Sequence, residues 1–453
     1  MPSGPAPNSS LSDWLAWLEQ QSGEARISLG LDRVRAVARA MGLPMQGDSV
    51  RLPMTTVVVA GTNGKGSTCA LIASMALQAG YPVAVYASPH LIQFEERLQL
   101  NGALSTAEAW VDGFEKVLVA AQKAQASLTY FEWVTLAAFH MVLHQGVELF
   151  VAEIGLGGRL DAVNLLDSDA AVLTSVDLDH QALLGHTREQ IGWEKAHVAR
   201  AGRPFVVADP LPPATVAEVA ATIGADLWQF GRDFNYQGDR QQWSWSGRTG
   251  RRNALGFPAL RGTNQLLNAS AALAVYAALV DKIPISQGAV RQGLALVTLP
   301  GRFQVLAGQP TVVLDVAHNP HAAGVLAANL DQMGFYPQTL AVVGLLADKD
   351  AQAIFERLAS RVDIWCLAGL SESIAGPRAQ SAQGLLSRVQ SLLARRPEVR
   401  VACYESPEQA LSGAAEMAGA SDRIVVFGSF LTVAQAWHQA KTIGQAPHAP
   451  DVH

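Results

Sequence analysis

Cysteine is scarce in this chain: three residues in 453, Cys69, Cys366 and Cys403, odd in number and far apart. That spacing excludes a disulfide framework and a cysteine metal cluster, and it suits a reducing compartment. Charged residues make up only 16% of the chain, and the formal net charge of −6 supplies no basic field for nucleic acid. No uninterrupted apolar run approaches the ~20 residues that a membrane span needs. The opening Met1 to Ser12 is rich in Pro and Ser without an apolar core, so no signal peptide is expected. No repeat at solenoid spacing is visible. What remains is a 49% hydrophobic composition on a chain too long for one core, which points to a packed cytoplasmic enzyme of two or three domains.

From residue 54 onward, apolar strand-like runs alternate with helical periods. Strands are expected at Val57–Ala60, Val83–Ala87, Glu148–Ile154, Ala170–Val176 and Phe205–Ala208. Helices are expected at Thr106–Gln125, Phe131–His144, Arg188–Arg200 and Ala214–Ile223. Such alternation predicts an α/β fold: a doubly wound, mostly parallel sheet with helices on both faces. Phe230 to Leu260 changes character, and the alternation near Gln241–Trp245 suggests short antiparallel strands on an excursion from the first domain. Helical patterns at Gln265–Leu279 and Ser286–Leu296 follow.

The strongest boundary signal is Thr298-Leu299-Pro300-Gly301. It divides the chain into residues 1–298 and a smaller second α/β domain, 299–453. The latter has strands expected at Thr311–Val316, Leu340–Leu345, Ile364–Leu367, Val399–Cys403 and Arg423–Phe427, and a final helix at Thr432–Ala440. The tail after Lys441 is expected to fray.

The most informative segment is Gly61-Thr62-Asn63-Gly64-Lys65-Gly66-Ser67, between the strand pattern Thr55–Ala60 and a helix-like run from Thr68 to Gln78. A strand, a glycine-rich turn and a helix start make a phosphate cradle, because backbone N–H groups and the helix dipole face an anion. Lys65 adds a point charge for the β- and γ-phosphates, and a hydroxyl from Ser67 or Thr68 can reach Mg²⁺. The usual nucleotide loop is matched imperfectly. Val59 stands where that pattern has glycine, and Gly66 separates Lys65 from the hydroxyl.

Ligands of open parallel sheets bind beyond the carboxyl ends of the strands. There the sequence places Glu153, then Gly155-Leu156-Gly157-Gly158-Arg159-Leu160-Asp161; also Ser88-Pro89-His90, and Asp177, Asp179 and His180. Oxygen and imidazole groups from three strand ends near a phosphate loop can hold one or two Mg²⁺ ions, with Glu153 and His180 the foremost ligands. Asp179 by itself reads as a cap. Lys195, on a helical pattern, reads as a solvated surface lysine paired with a neighbouring acid. In the second domain, Asp315-Val316-Ala317-His318-Asn319-Pro320-His321 puts polar residues at a strand end, with Pro320 suited to a first helical turn. Arg302 can clamp a transferring phosphate. Both groups are expected to face a cleft between the domains whose closure excludes water. Asp348-Lys349-Asp350 reads equally well as part of that cleft or as a charged loop.

These segments, in this order, resemble the dihydrofolate synthase/folylpolyglutamate synthase family of Mur-type ATP-dependent amide ligases. The matches are Gly61 to Ser67, Ser88 to Leu91 with Glu96-Arg97, Thr129 to Glu132, Glu153 to Asp161, Leu178 to His180, Pro300 to Phe303, Asp315 to His321 and Gly428 to Phe430. They span about residue 28 to residue 433. The resemblance implies an N-terminal P-loop ATPase-type domain and a C-terminal Rossmann-like domain. It implies a ligase that uses ATP and Mg²⁺ to join L-glutamate to dihydropteroate, and to the glutamate tail of tetrahydrofolate and its polyglutamates, through an acyl phosphate. A monomer is expected by analogy.

Residue roles follow from the same resemblance. Thr62, Asn63, Gly64, Lys65, Gly66, Ser67, Asn268, Arg302 and Asp315 would contact nucleotide, with His318 near the phosphates. Ser67, Ser88, Glu153 and His180 would serve Mg²⁺. Lys195 would be the lysine carried as an N-carboxylate, which turns a cation into an anionic metal ligand. The pterin pocket would draw on Ser28, Leu29, Gly30, Leu31, Thr129, Tyr130, Phe131, Glu132, Leu160, Asp161 and Ala162. In it Phe131 offers a stacking face and Asp161 an acceptor for ring N–H groups. Lys65, Lys195, Arg302 and His318 would carry the catalysis. The rival readings are a cell-wall peptide ligase of the same fold and a nucleotide-binding regulatory module without turnover.

Overall fold

The computed structural model describes residues 4–6, 8–22, 28–239 and 241–444. Two compact units emerge. One joins the described residues up to Ala259 with Leu266–Thr298. The other joins Leu260–Gln265 with the described residues from Leu299 onward.

The first unit opens with helices Leu11–Ser22 and Asp32–Ala40 and a two-residue hairpin, β1 (Met45–Gln46) and β2 (Ser49–Val50). Neither helix was expected, yet Leu11, Trp14 and Leu18 carry the helical spacing and are buried together. The main sheet contains β3 (Thr55–Ala60), β4 (Val83–Tyr86), β5 (Leu98–Leu100), β6 (Ala103–Leu104), β7 (Leu149–Glu153), β8 (Ala170–Leu173), β9 (Pro204–Val207) and β10 (Asp226–Gln229). Its order is β10-β9-β8-β3-β7-β4-β5-β6. The strands from β10 to β4 run parallel, and β5 and β6 add an antiparallel edge. The central strands are almost wholly buried on both faces, which explains their continuous apolar runs.

Chain order reverses around β3. The chain leaves β3 for β4, returns to β7, and crosses to β8 on the other side of β3. The carboxyl end of β3 is therefore the switch point where a doubly wound sheet opens a crevice. Several boundaries differ from expectation here. The run Ala170–Val176 leaves the ladder after Leu173, because β3 ends at Ala60 and the next residues bond to the glycine loop instead. The helix expected to reach Arg200 ends at Ala196.

The excursion is a three-stranded antiparallel sheet, β11 (Phe234–Gly238), β12 (Trp243–Gly247) and β13 (Gly250–Leu255). Trp243 and Trp245, on one face of β12, are its buried anchors. The second unit has β14 (Gln304–Leu306), β15 (Thr311–Leu314), β16 (Thr339–Val343), β17 (Ile364–Ala368), β18 (Arg400–Tyr404) and β19 (Arg423–Phe427), in the order β14-β15-β19-β16-β17-β18. Only β14 is antiparallel. Its last helix, Phe430–Gly444, runs three residues into the tail expected to fray, and the rest of that tail, residues 445–453, lies outside the described residues.

At the amino ends of the first sheet's strands, the Asp169 carboxylate ties three segments together. It accepts from the Thr56 N–H at 2.9 Å and from Arg51 at 2.6 Å, and it pairs with Arg203 and Lys282. Burial pushes this acid up, but the bonds from Arg51, Lys282 and Thr56 outweigh it and hold the group below its ordinary value. Asp169→Ala strands a buried N–H, removes the partner of Arg203 and Lys282 and leaves Arg51 only the more distant Asp167, a loss of about 3 kcal/mol. Urea denaturation should show a fall of that order; a loss under about 1 kcal/mol would mean that the cluster is not a structural tie.

Candidate active site

The glycine loop follows β3 at the switch point. Gly61 has φ +149°, and a Cβ there would lie 1.9 Å from Thr174 Oγ1; Gly64 has φ +87°, and its Cβ would lie 2.7 Å from Asn268 Oδ1. Glycine is needed at both, for backbone conformation and for the close approach of a neighbour. The extension of β8 holds the loop. Thr62 N–H donates to the Ser175 carbonyl at 2.8 Å, Asn63 N–H donates to Ser175 Oγ at 3.0 Å, and Thr174 Oγ1 donates to the Asn63 carbonyl at 2.7 Å. Asp177 N–H donates to Thr62 Oγ1 at 3.0 Å. Helix Lys65–Gln78 starts directly on this loop, with Gly64 as a cap that offers no side-chain acceptor. The helix start thus presents its first N–H groups toward an incoming anion. Thr68 Oγ1, one turn in, is buried without a hydrogen-bond partner among the described residues.

Two lysines converge on one backbone carbonyl. Lys65 Nζ donates to the Gly61 carbonyl at 3.1 Å and to that of Thr62 at 3.3 Å, and it lies 3.9 Å from Glu153 Oε1. Lys195 Nζ donates to the same Gly61 carbonyl at 3.2 Å. The residue read as a solvated surface lysine is therefore 5% exposed and sits at the phosphate loop. Burial, and then the Lys65 ammonium, draw its amine down to about 7, against the pull of Asp179 and Asp161. Sequence spacing missed this, because the helix packs Lys195 inward through tertiary contacts that no local pattern encodes.

The other strand-end groups lie along the same edge. Glu153 is the last residue of β7 and is buried. Ser88 lies two residues beyond β4, which pairs with β7. His180 takes a left-handed conformation at φ 50° ahead of the short helix Gln181–Leu184, and Asp179 Oδ1 accepts its N–H at 2.9 Å. Asp179 is not the helix cap expected of it, because His180 holds the N-cap position and no side chain caps that helix. Among the described residues no three His, Cys, Asp or Glu side chains already converge as a metal cluster. The donors available are hydroxyls, a carboxylate and one imidazole. That set fits Mg²⁺, a hard ion usually held by one or two protein groups and completed by substrate phosphates and water.

The residues expected at the pterin pocket gather on one side of the loop Gly155–Asp161. Gly30 N–H donates to the Leu160 carbonyl at 3.3 Å, which brings the segment Ser28–Leu31 against that loop. The Phe131 ring lies directly over Gly155, and Tyr86 flanks it with ring centres 6.4 Å apart. Asp161 is buried, accepts the N–H groups of Leu156 and Val163 at 2.8 and 2.9 Å, and is pushed up to about 7 by burial. Ala162 begins the short helix that Asp161 caps. Thr129 and Glu132 form a capping box at the start of helix Tyr130–Leu143, and Arg33 pairs with Glu132 at 2.7 Å. These two thus also carry a structural duty, as their Thr-x-x-Glu spacing allows. Arg97 lacked a role in the sequence reading. It donates from Nε to His90 Nδ1 at 3.0 Å, and its guanidinium stacks near the faces of Phe94 and Tyr130.

In the second unit, Asp315 accepts the N–H groups of Phe303 at 2.9 Å and Ala317 at 2.7 Å. Burial raises its carboxyl above the ordinary value. His318 Nδ1 donates to the Val316 carbonyl at 2.9 Å, which fixes the ring's tautomer. Arg302 lies 4.8 Å from the Phe430 ring, and the His318 ring centre is 6.5 Å from it. Pro320 opens helix Pro320–Gln332 behind the Asn319 cap. Asp348 pairs with Arg378 and Asp350 caps the helix Ala351–Leu358, while Lys349 between them is buried.

Residues 59–276 match the Mur ligase middle domain, and residues 301–430 match the Mur ligase, glutamate ligase domain. Over 430 residues the chain is 38% identical to dihydrofolate synthase/folylpolyglutamate synthase of Escherichia coli K12, covering 95% of each chain. This chain belongs to the dihydrofolate synthase/folylpolyglutamate synthase family. The E. coli FolC structure in complex with DHPP and ADP aligns with a TM-score of 0.87 at 38% identity, over 97% of this chain and 99% of that one. A bifunctional folylpolyglutamate synthase/dihydrofolate synthase structure with Mn, AMPPNP and L-glutamate bound aligns with a TM-score of 0.85, over 96% and 99%. Mycobacterium tuberculosis folylpolyglutamate synthase complexed with ADP, at 26% identity, aligns with a TM-score of 0.81. Among the described residues, no helix is long and apolar enough to cross a membrane.

The buried Lys195 amine makes a pH-dependent contribution. Its folded value, about 7, lies below the model-peptide value of 10.5, so between these limits the unfolded chain holds more protons and stability rises with pH. In carbon-dioxide-free buffer the wild type should gain on Lys195→Met from about pH 7 upward, by up to about 1.4 kcal/mol per pH unit. Parallel stability profiles for the two proteins would contradict this burial.

Proposed function

We propose that the chain is an ATP-dependent ligase that adds L-glutamate to dihydropteroate, giving dihydrofolate, and extends the glutamate tail of tetrahydrofolates. The observation that carries the reading is the Gly61 to Ser67 loop, with Lys65 and Lys195 sharing the Gly61 carbonyl beside Glu153. It is supported by the family the chain belongs to, whose members named above are folate ligases rather than cell-wall ligases.

In the proposed reaction the acceptor carboxylate attacks the γ-phosphorus of ATP and ADP leaves. The resulting acyl phosphate makes the carbonyl carbon electrophilic, and the glutamate amine then displaces phosphate to form the amide. Lys65 moves from the Gly61 and Thr62 carbonyls onto the β- and γ-phosphate oxygens, while the N–H groups from Gly64 onward cradle them. By the family resemblance, Arg302 and His318 would also offset charge on the phosphoryl oxygens. When bound, Mg²⁺ neutralises phosphate charge, with Ser67, Ser88, Glu153 and His180 as its protein ligands. Lys195 joins that set as an N-carboxylate, since a buried amine near neutrality can add carbon dioxide whereas an ammonium cannot. Phe131 stacks on the pterin, Asp161 accepts from its ring N–H groups, and Asn268, packed against Gly64, contacts the nucleotide. The glutamate amine must be neutral to attack, so the rate should rise toward mildly alkaline pH. The working unit is taken as one chain in the cytoplasm, in keeping with three free cysteines.

A glutamate-dependent ADP-release assay run side by side with dihydropteroate and tetrahydrofolate tests the reading. Both acceptors should support turnover, and Lys65→Ala should abolish it with each. No glutamate-dependent ADP with either acceptor would overturn the proposal.

A further inference from the structure

Lys195 sits in the last turn of a nine-residue helix, Arg188–Ala196. The amino end of that helix is fixed by a capping box between Thr187 and Gln190. Its carboxyl end has no such box and is stitched to the glycine loop after β7 instead. Arg159 supplies most of the stitching. Its N–H donates to the Glu194 carbonyl at 3.0 Å, and its guanidinium grips the Glu194 carboxylate at 2.9 and 3.2 Å. The same guanidinium lies 5.0 Å from the centre of the Trp193 ring. Beside it, a Cβ on Gly158 would come 2.9 Å from the Lys195 Cα, so loop and helix touch backbone to backbone. Asn164 Nδ2 closes the frame by donating to the carbonyls of Arg159 and His197, each at 3.2 Å.

We propose that Arg159 is a positioning residue for Lys195: by gripping Glu194 and Trp193 it locks the last helical turn to the glycine loop and presents the lysine amine at the Gly61 carbonyl for carboxylation. The proposal rests on the reading of Lys195 as an N-carboxylate. In that step the neutral amine of Lys195 adds to the carbon of carbon dioxide and a C–N bond forms. One C=O electron pair moves onto oxygen, and the nitrogen loses a proton to solvent. Nothing is oxidised or reduced. The Arg159 side chain touches neither the amine nor a substrate in this account, and it acts through the backbone it holds.

Energetics separate this role from simple stabilisation. Arg159 keeps 36% of its side chain exposed, and ion pairs so exposed contribute about 0–1 kcal/mol to folding. Losing a group that orients a ligand from behind typically costs 10–100-fold in affinity or activity. The Arg159 pair should therefore matter far more to the chemistry of Lys195 than to the melting temperature.

The test uses the full chain with ¹³C-bicarbonate and reads the carbamate resonance by NMR, with Lys195→Met as the control. The wild type should give a Lys195-dependent resonance. Arg159→Met should need at least about tenfold more bicarbonate for the same occupancy, with ADP affinity and melting temperature close to those of the wild type. Glu194→Gln, which keeps the backbone bond from Arg159 and weakens only the grip, should shift the requirement in the same direction. Wild-type bicarbonate dependence in both variants would overturn the positioning role alone. Absence of any Lys195-dependent resonance in the wild type would sink the carboxylation reading and this inference with it.

Discussion

The Gly61 carbonyl accepting from both Lys65 and Lys195 is the constraint on which the rest of the site depends. Two ammonium groups cannot share one acceptor comfortably in a buried setting, and burial first, then the Lys65 charge, draws the Lys195 amine down. In the proposed reaction, triphosphate drawing Lys65 away or carboxylation of Lys195 would relieve it. The loop can bear this load because residues Thr174 to Asp177 leave the sheet ladder to hold it by side chain and backbone.

A second pattern recurs across the molecule. Several acids near strand ends hold loops by accepting backbone N–H groups. Asp161 accepts the N–H groups of Leu156 and Val163, Asp209 those of Val176 and Leu211, and Asp315 those of Phe303 and Ala317. Glu96 accepts three successive N–H groups, from Leu91 to Gln93. Each carboxylate fixes the backbone of a segment by pairing its N–H donors. The loop Gly155–Asp161, which the proposed pterin and phosphate sites would share, is made rigid by its own Asp161.

Much of this could be read in the chain itself. Alternation of apolar runs and helical periods revealed two α/β sheets because buried parallel strands leave continuous Val, Ile and Leu runs. The glycine loop was legible from its place between strand and helix. The N-terminal helices escaped notice although Leu11, Trp14 and Leu18 carried their spacing, and the Ala170–Val176 run was read too long because its last residues stay extended while changing partners. Lys195 was illegible by local pattern, since its burial comes from Gly158 and Arg159 some 35 residues earlier in sequence. The grip of Arg33 on Glu132, 99 residues apart, was hidden for the same reason.

The account's central claim is that this phosphate loop serves to activate a carboxylate. An isotope-transfer experiment tests it most directly: dihydropteroate labelled with ¹⁸O in its carboxylate, ATP, Mg²⁺ and L-glutamate, with the released inorganic phosphate analysed by mass. One ¹⁸O atom per phosphate is the predicted result, because the attacking oxygen must depart with phosphorus. Phosphate free of label, released alongside amide product, would contradict the claim.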